Sequence, residues 1–250
     1  MDTLFTGRKT IELETVHSTN SYALELLKET ILPEGTVVIA RNQVSGRGQP
    51  GNKWESEPGK NLTLSFIFYP VFLPVEKQFI LSKVVSLAVA ELLVEVLGKK
   101  VHIKWPNDIY VDDKKIAGLL IENILRQNRI ASCVAGIGLN VNQETFSVNA
   151  GKTVSIKNIL GKEADLKLIL EKLCSNLEVR YLQLRSGKHE ILDRDYLHLL
   201  YRLNVWANYN IDGEVSEGKI SGVKENGKLL VEMRGGEKRE FNAKQIVFVH

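Results

Sequence analysis

Between Phe79 and Leu97 the chain places Phe79, Ile80, Val84, Leu87, Ala88, Leu92 and Val96 at helical spacing and then reaches Gly98. That spacing predicts one long, well-packed helix with the glycine as its stop. A helix this apolar needs a surface to bury against, and short apolar runs at 11–16, 36–40, 61–69, 101–105, 116–122 and 129–141 provide it as strands. The helix is therefore expected behind a sheet, where it offers packing and no chemistry. Further helices are predicted over 165–184 and about 188–200, with a short helix or turn over 155–161.

Polar residues gather where the strands end. Residues 11–16 run into His17, Ser18, Thr19 and Asn20, of which one can cap the helix that follows. Three capping residues in a row leave two for solvent or for a pocket. After residues 36–40 comes a loop, 41–54, with Gly46, Gly48 and Gly51 among Gln43, Arg47, Asn52 and Lys53, ending in Trp54. Its glycines admit a close approach and its side chains supply donors, which suits a phosphate or carboxylate, although an exposed turn has a similar composition. Residues 101–108 carry Lys104 and Trp105 into Pro106, Asn107 and Asp108, and a hairpin through residues 112–115 brings in Lys115. These charges fit either a solvated hairpin or a nucleotide-phosphate site. The strand at 129–141 ends in Gly136, Gly138 and Asn140, glycines that mark either a twist or a ligand lying close to the backbone.

Several chemistries are excluded or unsupported. Gly46 to Gly51 satisfies a bare Gly-x-Gly-x-x-Gly string, yet Asn52, Lys53 and Trp54 follow it rather than the continuation of a P-loop or a dinucleotide fingerprint. There is no serine elbow and no His-x-x-x-His pair, and Cys133 and Cys174 lie apart in apolar settings as expected of buried thiols. A formal charge of +3 over 250 residues does not demand nucleic acid, and no stretch approaches the length of a membrane span. No signal peptide is evident at the start, so the cytoplasm is the expected location. What remains is catalysis by positioning and charge stabilisation, with lysine, arginine and a magnesium ion on a carboxylate.

From residue 213 onward the chain changes to short alternating runs broken by glycine turns, with Asn226 and Gly227 as a strong hairpin signal. A boundary is expected near 200 to 210, giving units 1–204 and 205–250.

Five motifs then coincide in order and spacing: His-Ser-Thr-Asn at 17–20, Gln43 with Gly46-Arg47-Gly48 and Trp54, Lys104-Trp-Pro-Asn-Asp108, Lys115-Ile-Ala-Gly118, and Gly136-Ile-Gly-Leu-Asn140. Together they make residues 11–250 resemble the biotin–protein ligases, also called biotin–acetyl-CoA-carboxylase ligases, of the short type without a DNA-binding domain. The resemblance implies an α+β fold: a mixed β-sheet backed by helices, like the class II synthetases, with a small C-terminal SH3-like barrel. It implies that biotin and Mg-ATP form biotinyl-5'-AMP, whose acyl group passes to a lysine of a biotin carboxyl carrier protein. It further implies that Ser18, Thr19, Asn20, Gln43, Gly46, Arg47, Gly48, Lys115 and Gly118 bind biotin. Trp54, Lys104, Asn107, Asn140, Gly136 and Gly138 would lie about the nucleotide. Arg47, Lys115 and Asp108 would be catalytic, with Asp108 also on the metal and a candidate base for the acceptor amine.

The family's loop usually reads Gly-Arg-Gly-Arg-x-Gly-Arg-x-Trp, whereas this chain has Gln49 and Asn52 at two of the arginine positions, with Pro50 between. The resemblance then implies a weaker grip on the adenylate, or compensation by Lys53 or Arg41. The roughly ten residues before Ile11 predict no helix-turn-helix domain and no operator binding. A homodimer is possible. Alternatives are a lipoate-protein ligase or octanoyl transferase of the same fold, the latter needing a cysteine nucleophile, and a nucleic-acid or protein binding module without catalysis.

Overall fold

A computed structural model describes residues 2–49 and 51–249; Pro50 of the glycine-rich loop lies outside the described residues. In chain order the larger part comprises β1 (Thr10–Val16), α1 (Thr19–Glu29), β2 (Thr36–Gln43), β3 (Leu62–Phe68), α2 (Phe79–Leu97), β4 (His102–Lys104), β5 (Asp108–Val111), β6 (Lys114–Arg126) and β7 (Arg129–Leu139). Then follow α3 (Ile156–Leu160), α4 (Leu166–Arg185) and α5 (His189–Leu199). The strands form a seven-stranded sheet in the order β1-β2-β3-β7-β6-β5-β4. Among the described strands of this sheet only β1 and β2 pair in parallel, so the sheet is mixed.

Alternation along the strands divides the sheet into two faces. On one face Leu64, Phe66, Ala135 and Ile137 join the core formed with α2, α4 and α5. There α2 buries Leu87, Leu92 and Leu93 completely and ends at Gly98 in the left-handed region, φ 60°. Truncating any one of these leucines to alanine would cost about 2–5 kcal/mol. On the other face Ala23 of α1 packs on Val38, Ile67 and Val134. All seven residues of β3 are buried because both faces are covered. Near the N-terminus, the backbone N–H groups of Leu4, Phe5 and Thr6 donate to the Glu178 carboxylate of α4 at 2.7 to 2.9 Å.

The remaining strands, β8 (Trp206–Ile211), β9 (Glu214–Val223), β10 (Leu229–Met233), β11 (Lys238–Phe241) and β12 (Ile246–Phe248), form an antiparallel sheet in the order β11-β10-β9-β8-β12. The Asn226–Gly227 turn joins β9 to β10 as its sequence predicts, with Gly227 at φ 88°. A methyl group at Gly227 would meet the Phe79 ring at 2.6 Å, and its carbonyl accepts from the Trp105 indole at 2.9 Å, so this turn is docked on the larger part. No helix among the described residues is long and apolar enough to cross a membrane.

Candidate active site

Backbone register brings the scattered motifs together. One row of paired residues crosses the sheet through Ala40, Thr63, Gly138, Gly118, Asp108 and Lys104. The next row contains Ser65, Gly136 and Leu120. Glycines in the middle of both rows leave a depression in the face covered at its margin by α1. The depression deepens into a cleft of about 250 Å³. Ser18, Thr19, Asn20, Gln43, Arg47, Gly48, Trp54, Lys104, Asn107, Asp108, Lys115, Gly118, Gly136 and Gly138 all line it.

Lys115 reaches this face through a bulge. Ile109 pairs with Ala117, but the next residue, Tyr110, pairs with Lys115, leaving Ile116 as the extra residue of β6. Simple alternation from Gly118 would send Lys115 to the opposite face, and the bulge re-aims it. Its ammonium then pairs with the Asp108 carboxylate at 2.7 Å and lies 5.6 Å from the centre of the Trp54 ring. Lys104 donates to the Tyr110 hydroxyl at 3.1 Å and lies 5.0 Å from the Phe248 ring of β12. Burial lowers its pKa from the usual lysine value; Asp108 opposes that shift, while Arg202 and Lys115 reinforce it.

Trp54 explains the two glycines opposite each other in β6 and β7. A methyl at Gly138 would lie 2.2 Å from the indole, and one at Gly118 would lie 3.0 Å from it and 3.2 Å from the Lys115 side chain. The indole thus lies flat on backbone that has no side chain, and its N–H finds no partner among the described residues. Gly46 holds the base of the loop: its carbonyl accepts from the Trp54 backbone N–H at 2.9 Å, and a methyl there would clash with the Trp54 carbonyl at 2.3 Å.

At the other end of the cleft, Ser18 is the N-cap residue of α1, yet its own side chain makes no capping hydrogen bond. The polar cluster at 17–20 is turned elsewhere. Gln43 Oε1 accepts from the Thr19 N–H at 2.7 Å, and Asn20 is directed at the sheet, where Gly136 leaves it room.

Gly46 and Asn140 are the two sequence-nominated residues that do not line the cleft. Asn140 is buried at the end of β7, donating its amide to the Val154 carbonyl at 3.2 Å, with its Oδ1 lacking a partner among the described residues. Asn107 lines the cleft while its amide donates to the Leu119 carbonyl at 2.7 Å.

Ser65 and Glu122, which contact the nominated residues, and Lys244, Ile246, Val247 and Phe248, which wall the cleft from the C-terminal sheet, are not among the residues expected from sequence. Ser65 and Glu122 were detectable as polar residues inside apolar strands, since buried polar groups require partners. Nothing local marked the C-terminal wall. Neither cysteine lines the cleft, and burial pushes both thiols up to about 12. A cysteine nucleophile is thus without a candidate among the residues lining it.

Comparison with known proteins agrees with this geometry. A sequence model of the biotin/lipoate A/B protein ligase family matches residues 12–140, just over half of the chain. The bifunctional ligase/repressor BirA of Bacillus subtilis is 30% identical over 243 residues, covering 95% of this chain and 73% of that protein. A biotin–[acetyl-CoA-carboxylase] ligase of Mycobacterium tuberculosis is 31% identical over 186 residues, 72% of this chain and 68% of its own. Among solved structures, the biotin protein ligase from Aquifex aeolicus in complex with biotin and ATP superposes with a TM-score of 0.80 at 27% identity, covering 97% of this chain and 99% of that one. Matched over the strands and loops that build the cleft, and over nearly its whole length by such relatives, the chain belongs to the biotin/lipoate A/B protein ligase family.

Proposed function

We propose that this chain is an ATP-dependent biotin–protein ligase. One carboxylate oxygen of biotin attacks the α-phosphorus of ATP, the bond to the β-phosphate oxygen breaks, and pyrophosphate leaves biotinyl-5'-AMP. A lysine amine of a biotin carboxyl carrier protein then attacks the acyl carbon, the bond to AMP breaks, and the amine loses a proton. The observation that carries this reading is the bulge-directed pairing of Lys115 with Asp108 at 2.7 Å in the same cleft as the Ser18–Asn20 and Gln43 cluster.

The first step brings a carboxylate against a polyphosphate, and its transition state accumulates charge on the phosphoryl oxygens. Positively charged groups held in place stabilise that charge without reorganising during the reaction. Lys115 takes this role beside the α-phosphate, and Arg47 contributes from the loop. Trp54 provides a flat apolar face for the adenylate, and the floor around Gly136 and Gly138 admits close approach. In the second step Asp108 takes the acceptor proton.

Magnesium is expected with the nucleotide. Among the described residues no group of three or more His, Cys, Asp or Glu is arranged to hold a metal, and the carboxylate of the cleft is Asp108. That donor set fits an ion carried mainly by phosphates and water, for which one carboxylate suffices. Asp108 would hold it, and the ion would neutralise phosphate charge.

We also propose the division into a catalytic unit, 1–204, and a C-terminal unit, 205–250; it is supported by the separate sheet that starts at Trp206. Incorporation of biotin into a purified apo carrier domain, with ATP and magnesium and with lipoate as competitor, tests reaction class and substrate together. Biotin-dependent labelling of the carrier lysine is expected. Labelling by lipoate alone would assign the chain to the other branch of the family.

A further inference from the structure

Seven side chains form one hydrogen-bonded line along the cleft. Thr19 donates its N–H to Gln43 Oε1 at 2.7 Å, and its hydroxyl lies 3.1 Å from that oxygen. The Ser65 hydroxyl lies 2.8 Å from the Thr19 hydroxyl and 2.6 Å from Asn20 Oδ1. Asn20 Nδ2 reaches Glu122 Oε2 at 2.9 Å and the Leu120 carbonyl at 3.0 Å. The other oxygen of Glu122 takes Arg47 Nη2 at 2.6 Å, and Arg47 Nη1 meets the Ser21 hydroxyl at 3.0 Å. These residues come from α1, β2, β3, β6 and the glycine-rich loop.

We infer that Glu122 is a positioning residue that sets the direction of this line, and thereby fixes both the donors offered at the Gln43 end and the seat of Arg47 in the loop. An ionised carboxylate is acceptor-only, so it requires the amino group of Asn20 on one side and the guanidinium of Arg47 on the other. With its nitrogen turned to Glu122, Asn20 presents Oδ1 to Ser65. That oxygen can only accept, so Ser65 donates to it. Ser65 then accepts from the Thr19 hydroxyl, the shorter of that hydroxyl's two contacts. Gln43 Oε1 is left to the Thr19 N–H, and its amino group stays available toward the cleft as a donor. A head group with a carbonyl oxygen is what such an end would select. Ser65 is fully buried, and Asn20 occupies the space that a side chain at Gly136 would fill, since a methyl there would lie 2.3 Å from Oδ1.

This inference rests on the ligase reading for the identity of the ligand, but not for the direction of the line. Glu122→Gln keeps the shape and breaks the pattern, because its amino group must face a donor on one of its two sides. Asn20→Asp breaks it differently, by setting two carboxylates against each other. The double variant restores the pattern at position 122: the introduced glutamine would accept from Arg47 and donate to the introduced aspartate, which would still accept from Ser65, and only the Leu120 carbonyl would lose its Asn20 donor. The experiment therefore measures biotin affinity by calorimetry and, in the ligand-free protein, the rate of tryptic cleavage at Arg47 and Lys53, for wild type, both single variants and the double.

Each single variant is expected to weaken biotin binding about tenfold and to speed loop cleavage several-fold, with the double variant closer to wild type than either single one in both. If Glu122→Gln binds biotin and resists trypsin like wild type, or if the double variant is no better than the worse single one, the inference is overturned. Should wild type itself bind no biotin, the ligase reading fails instead, and the cleavage rates alone decide on Glu122.

Discussion

Gly138→Ala separates a role for the glycine floor in the reaction from a merely permissive one. The added methyl would lie 2.2 Å from Trp54 Cε2 and 2.6 Å from its Cζ2 and Nε1, whereas ordinary contact begins near 3.4 Å, so the ring must withdraw by about 1.2 Å. Gly138 has no positive φ, so alanine fits the strand backbone, and the three atoms its methyl would meet most closely all belong to the ring. Misplacing a positioning group by about 1 Å costs on the order of 100-fold in rate, or about 2.7 kcal/mol in barrier. Biotin-dependent exchange of labelled pyrophosphate into ATP should fall by about that factor while the melting temperature changes little. Gly118→Ala is the internal comparison. Its nearest neighbours are the Trp54 edge at 3.0 Å and the flexible Lys115 side chain, so a loss below about tenfold is expected. The decisive control is Trp54→Ala, in which the clash no longer exists. If Gly138→Ala retains exchange within threefold of wild type, or costs the same 100-fold in the Trp54→Ala background, the ring is not the mediator.

Other expectations concern charge. Lys115→Ala should depress adenylate formation by roughly 10²–10³ while biotin binding changes less, and Asp108→Asn should slow transfer to the carrier by about 10²; pre-steady-state assays of each half-reaction separate the two. Gln49→Arg, which restores the family's usual loop residue, should slow release of biotinyl-adenylate by about tenfold, read as reduced labelling of a non-carrier protein. Burial disfavours the Glu178 carboxylate, but the N–H groups of Thr6, Phe5 and Leu4 outweigh it and lower its pKa below the usual 4.5. Its contribution to stability is therefore present above about pH 4.5 and lost as pH falls through the lowered value. Glu178→Gln should cost about 2 kcal/mol at pH 7 by denaturant titration, and the gap to wild type should close in acid.

Periodicity carried most of the fold because it is a local property. Leu87 and Leu92 declare the packed face of α2, and Gly98 ends it at the expected residue. The strands at β3 and β7 were legible as apolar runs, and the Asn226–Gly227 turn as a dipeptide. Which face a strand residue occupies is also local until a bulge intervenes. That is why Lys115 read as part of a charged turn when it stands in β6, re-aimed by Ile116. Contacts between distant segments were illegible for a different reason. Glu122 meets Arg47 across 75 positions, and Phe248 approaches Lys104 from another sheet. No pattern within a single window encodes either meeting. The composition of residues 17–20 showed too many capping residues for one helix, and the surplus has proved to line the cleft.

The extra residue in β6 makes the reactive geometry a matter of counting as well as chemistry. Were Ile116 to pair regularly with Tyr110, the charged pair would remain in the sequence while Lys115 turned toward the apolar core, where an ammonium has no place. Register is as consequential as composition in this hairpin. A chain with lysine at the same distance from the glycine but no bulge would point it to the opposite side of the sheet. The bulge is itself a functional character.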